Sequence, residues 1–183
     1  MKNKTMIPFL ATIIFSAMLI VTFFLPLAVA TDEYREMISS FSTKTAIAEC
    51  DYSYGDLENL SMFKYANIYK VGASSKEVDG YGNAESTICF VLIIAVAIFT
   101  LLILLFSVLK KPVPLVIFDI LALGVFSLLL WDMGDRNVLP STRYNFGIAH
   151  VLYYVCFAIL AATGIWLFAV KKQKKKEKME EMM

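Results

Sequence analysis

Apolar positions gather into four blocks, at 7–30, 86–109, 113–131 and 147–170. Three of the blocks hold no charged residue, and the third holds one, Asp119. A helix needs about 20 residues to cross a hydrocarbon core, and each block is near that length or longer. In lipid, backbone amides must bond within their own segment, so the blocks are expected to be helices. A barrel would alternate apolar and polar positions over segments of about 10 residues, and 89–105 does not alternate. The pattern therefore predicts an all-α integral membrane protein. It is a single membrane domain, a four-transmembrane-helix bundle with a small helical extracellular segment at 31–85 and a cytoplasmic basic tail at 171–183.

Charge sets the expected orientation. Residues 32–85 hold five basic and ten acidic side chains, whereas the two ends and the Lys110-Lys111 hinge hold ten lysines and three glutamates. Lys and Arg flank spans on the cytoplasmic side, and every lysine cluster falls on one side of a four-span chain. Both termini are thus expected inside the cell membrane and 31–85 outside. Lys2 and Lys4 before an apolar run, with Ala28-Val29-Ala30 at its end, also fit a signal peptide. The run of 24 residues exceeds the usual core of about 7–15 and favours an uncleaved span. Either alternative leaves 31–85 outside.

Between the spans the expectations are finer. Tyr34, Met37, Ile38 and Phe41 recur at helical spacing, with Thr31 or Asp32 as cap. Residues 51–56 read as a turn, 57–71 as a second helix and 72–84 as a loop. The outer stripe is expected to pack between those two helices, or to meet a partner. Lys110-Lys111-Pro112 is a short hinge that makes its flanking helices antiparallel neighbours. Residues 132–146 form an outer loop, bordered by Trp131, Tyr144, Tyr153 and Tyr154 as an interfacial belt. Of the three cysteines, Cys50 and Cys89 share the outer side, and unpaired thiols are the simpler reading.

Candidate chemistry is sparse. Asp119 is costly in a membrane, about 2.5–3.5 kcal/mol at a helix centre on insertion scales. It lies six residues into its span, about 9 Å from the inner boundary. By the same counting Thr12, Ser16, Thr100, Ser107 and Thr163 are near its depth and are expected to form a polar layer around it. That layer suits a proton or cation site, a contact to a charged partner, or helix association through hydroxyls. His150 is expected near the outer face, too far for pairing with Asp119 and without the convergent ligands a metal needs. Asp132, Asp135 and Asn137 lack the EF-hand pattern. Asn59-Leu60-Ser61 matches a glycosylation acceptor, Ala158 and Ala162 permit close helix approach, and the tail lysines suit anionic lipid. No cofactor motif, nucleophile with a base, or nucleic-acid signature occurs.

The layout resembles claudin-like tetraspan proteins in topology. It departs from them in having Cys50 alone and no tryptophan between Thr31 and Glu85. Phe24-Leu25-Pro26 followed by the acidic 32–36 stretch is similar to uncharacterised small four-span membrane proteins of Gram-positive bacteria, a resemblance that implies no activity. The expectation is a non-enzymatic accessory or interaction subunit acting through the ectodomain, with a membrane-protein partner or a second copy. The alternative is a small oligomeric proton or cation conductor using Asp119. A lipid-modifying enzyme fits least, since no second acid shares that depth.

Overall fold

The computed structural model describes residues 3–74 and 82–182. The chain is mostly helical, and three of its helices are long and apolar enough to cross a membrane. They are α4 (Gly82–Val108), α5 (Pro112–Asp135) and α6 (Ile148–Glu181). The first apolar helix, α1 (Asn3–Thr22), is shorter. The remaining helices are α2 (Asp32–Ser39) and α3 (Met62–Ser74). Strands β1 (Pro26–Ala30), β4 (Asn59–Ser61) and β5 (Tyr144–Phe146) form one antiparallel sheet with β1 in the middle. Strands β2 (Thr45–Ile47) and β3 (Tyr52–Ser53) form a separate hairpin.

The buried positions of the long helices follow the four-three spacing of a left-handed helix seam. On α4 they are Cys89, Ile93, Val96, Thr100, Ile103 and Ser107, and on α5 Leu115, Asp119, Ala122, Phe126, Leu129 and Met133. α5 packs on α4 and α6, and α1 closes on the same two helices. The opposite faces stay apolar and exposed, as at Ile98, Leu101, Ile117 and Ile120. Apolar residues on the outside and hydroxyls in the seam are the reverse of a water-soluble bundle, and suit helices in lipid. Gly164 lets α6 approach α5 closely, since a Cβ there would meet Val116 and Leu115 at 2.7 and 3.0 Å.

The outer segment differs from expectation. The first apolar block was expected to be helical through residue 30, yet α1 ends at Thr22 and the chain turns through Phe23–Leu25 into β1. Pro26 has no amide to continue a helix and biases its predecessor toward extended backbone. Leu27 and Ala28 are fully buried because β1 is paired on both edges. Ala28 stands opposite Leu60 on one side and Phe146 on the other. The small outer segment is therefore not purely helical: a sheet drawn from three distant parts of the chain caps the helices.

The helix expected at 57–71 begins at Met62 instead. Residues 59–61 are recruited by β1, and Ser61 Oγ then accepts the Lys64 amide as a cap. Thr31 caps α2 by accepting the Tyr34 amide. α2 does not pack along α3; α3 lies on α4 instead, with Gly72 close against Ser86. Of the α2 stripe Ile38 is buried, while Met37 and Phe41 remain exposed. Within the expected loop at 72–84, 75–81 lie outside the described residues, Gly72–Ser74 end α3, and 82–84 begin α4. The expected outer loop at 132–146 is shorter than read: α5 continues to Asp135, then closes on Asn137 in the left-handed conformation. The Val138 amide reaches Met133 O and the Asn137 amide reaches Gly134 O, a Schellman closure.

Candidate functional site

The structure places the sequence candidates in the helix seams but joins only some of them. Thr12, Ser16, Thr100, Ser107 and Asp119 are all buried, and Thr163 is partly buried. Ser16 Oγ and Ser107 Oγ meet at 2.8 Å and tie α1 to α4. The other hydroxyls turn back on their own helices. Thr12 donates to Phe9 O, Thr100 to Ala97 O, and Thr163 to Ile159 O. None of these reaches Asp119, so the expected ring of hydroxyls around the acid does not form.

Asp119 is 2% exposed, and its Oδ1 is buried without a hydrogen-bond partner. It occupies a seam position that an aliphatic side chain would fill. An unsatisfied buried carboxyl costs about 1–3 kcal/mol. Asp119→Leu, of similar volume, is expected to raise the midpoint of thermal unfolding in detergent. A lowered midpoint would show that the acid holds the seam together through a contact of its own.

A second constellation lies at the outer rim, and sequence reading missed it. Arg136 follows α5, and its guanidinium contacts the Asp132 carboxylate one turn back. The same group donates to Cys89 Sγ of α4 at 2.7 Å and stands 3.5 Å from Glu85. Cys89 in turn donates to Asp132 at 3.1 Å. One guanidinium thus clasps α4 to the end of α5. Burial opposes the charge on Arg136, but Asp132 and Cys89 outweigh it and raise its pKa. The signal was present as Asp132 and Arg136 at i, i+4 spacing, though nothing in sequence pairs them with α4. The three cysteines are free thiols, so no bridge joins Cys50 to Cys89.

Above this clasp, a groove of about 400 Å³ runs between the cap and the end of α5. Its walls carry Tyr34, Tyr65, Tyr69 and Tyr144, with Asn137 and Arg143 at the rim. The Tyr144 hydroxyl donates to Leu57 O, fastening β5 to the segment before β4. Tyr34 meets Tyr144 edge-to-face at 5.3 Å, and Arg143 lies over the Tyr34 ring. Burial, then the neighbouring Tyr34, pushes the Tyr144 hydroxyl up, so it stays protonated at ordinary pH. Tyr65 is 4% exposed and its hydroxyl has no partner. No carboxylate lies within ion-pair distance of Arg143 among the described residues. Such a groove can hold a planar or extended group and offer it donors; it contains no nucleophile paired with a base.

The remaining candidates have ordinary surroundings. His150 stacks on Phe146 at 4.2 Å and meets Tyr154 edge-on. Among the described residues, no three His, Cys, Asp or Glu side chains gather as metal ligands would. Within the acceptor tripeptide, Leu60 and Ser61 are buried in the sheet and Asn59 is exposed. Comparison of the chain with protein-family models, curated proteins and solved structures gives no match.

Proposed function

We propose that this protein is a four-span subunit of the cell membrane, with both termini cytoplasmic, that acts without catalysis by docking a partner protein on its outer cap. Three helices of spanning length support the membrane reading. α1, whose twenty residues reach about 30 Å, supplies the fourth crossing. The segregation of lysines toward the inner ends sets the orientation. The observation that carries the docking reading is the tyrosine-lined groove, with an unpartnered buried hydroxyl and with Arg143 bound to no acid among the described residues. Aromatic and arginine side chains are the usual anchors of protein interfaces. The cap also rests on β1, which is continuous with α1, so it presents the groove on a fixed frame.

A photo-reactive residue at position 143 tests this in intact cells. The expected result is one discrete protein adduct, lost in a Tyr34→Ala background and absent when the probe is moved to Ile117 on the exposed face of α5. Equal labelling at both positions would count against docking at the groove.

The second reading is a proton or cation conductor built on Asp119, supported by the unpartnered Oδ1 in the helix seam. Its weakness is that Thr12, Thr100 and Thr163 donate to carbonyls of their own helices and do not reach the acid. Asp119→Asn in reconstituted vesicles decides it: conduction requires a drop in flux, while unchanged flux leaves the acid as a packing residue.

A further inference from the structure

We infer that the inner ends of α1 and α6, with the turn between α4 and α5, form a seat for one anionic phospholipid. The inference rests on the membrane reading above but is independent of what the outer cap docks. A cleft of about 530 Å³ opens here. Phe9 and Leu10 of α1 and Leu167 of α6 form its apolar wall, and Lys110, Lys171 and Lys174 its rim. No acid lines it.

The rim is organised, unlike a loose basic tail. The Lys110 ammonium sits 4.4 Å over the Phe9 ring, which holds it at the mouth. Lys110 is the left-handed residue closing α4, with φ 56° and with the next amide bonded back to Phe106 O. The Lys171 ammonium donates to the Lys110 carbonyl, joining α6 to that turn. An ammonium carries three donors, so Lys171 keeps two for a ligand. Leu10 is 52% exposed, so the wall is open to a chain lying along it.

Two chemistries identify the occupant. The wall calls for hydrocarbon, and the rim calls for an anion with several acceptor oxygens. A phospholipid with net negative headgroup joins them in one molecule. A zwitterionic headgroup would bring its own cation against three lysines, and free phosphate would leave the wall wet. Basic pockets between helices at the cytoplasmic surface commonly hold such headgroups.

The test uses the full chain in detergent, with native mass spectrometry of retained phosphatidylglycerol against phosphatidylcholine. Flotation of wild type with vesicles of either lipid checks membrane insertion separately, and failure there would remove the membrane reading itself. Given insertion, the wild type is expected to retain one phosphatidylglycerol. Triple replacement K110Q/K171Q/K174Q is expected to weaken retention at least tenfold, toward roughly 100-fold at the strength of three surface lysines. The charge-matched control K172Q/K175Q/K176Q, whose lysines line a separate cleft on α6, is expected to retain it. Leu10→Gln, which leaves every lysine in place, is expected to weaken retention as well. Equal loss in both triples would reduce the effect to diffuse tail charge and overturn the seat. So would loss in neither, or displacement of the lipid by inorganic phosphate.

Discussion

Gly147→Ala is expected to destabilise the protein by about 3 kcal/mol, with a midpoint of thermal unfolding in detergent roughly 6–12 °C lower. Gly147 stands at the start of α6, where β5 ends against β1. A Cβ there would lie 2.3 Å from Pro26 O and 2.8 Å from Pro26 C. Both atoms are backbone, so no side chain can swing aside. β1 must move, and the 2.7 Å bond from the Gly147 amide to Leu27 O must lengthen. Overpacking of this kind costs about 1–3 kcal/mol, and a weakened buried hydrogen bond adds about 1. Gly124→Ala is the matched control, because a Cβ there meets nothing within 4 Å. It is expected to be neutral or slightly stabilising, since alanine is the better helix former. Similar losses in both variants would mean that the close approach to β1 does not explain Gly147.

Arg136→Ala is expected to cost about 2–3 kcal/mol, the range for hydrogen bonds to charged groups that are largely withdrawn from water. Its removal strands Asp132, whose remaining donor is the Cys89 thiol, and leaves Glu85 without its cation. Arg136→Lys is expected to recover little, because a single ammonium cannot reach a carboxylate, a sulfur and a second carboxylate with one planar fork. The double variant Arg136→Ala/Asp132→Ala is expected to lose less than the two singles together, as coupled neighbours do. Cys89 supplies an independent readout. It is fully buried, and a maleimide probe should modify it faster once the clasp opens. Additive losses with an unreactive thiol would dismiss the clasp as a surface ion pair.

The long helices were legible because long uncharged apolar runs leave the backbone little choice. The blocks at 86–109 and 113–131 became α4 and α5 within a few residues, and Asp119 sits in a buried seam as its cost demanded. The cap was harder to read. Residues 26–30 belong to an apolar run, and apolar runs do not reveal by periodicity whether they are helix or fully buried strand. Pro26 was the available flag. The partners of that strand are at 59–61 and 144–146, and no local pattern in either segment names the other. The clasp failed to appear for the same reason: Glu85, Cys89 and Arg136 meet only when α4 and α5 lie side by side. The polar layer was overread because depth along a span fixes height and not direction. Thr12, Thr100 and Thr163 share a height with Asp119, but their hydroxyls are satisfied within their own helices.

The strand order has a consequence for synthesis. β1 leaves the ribosome well before β5, so one of its two edges is matched only when residues 144–146 emerge. Until then Leu27 and Ala28 cannot take their final surroundings, and the first helix ends in an unfinished hem. The cap is sewn shut only by β5, so a chain interrupted before residue 144 would leave β1 with an open strand edge.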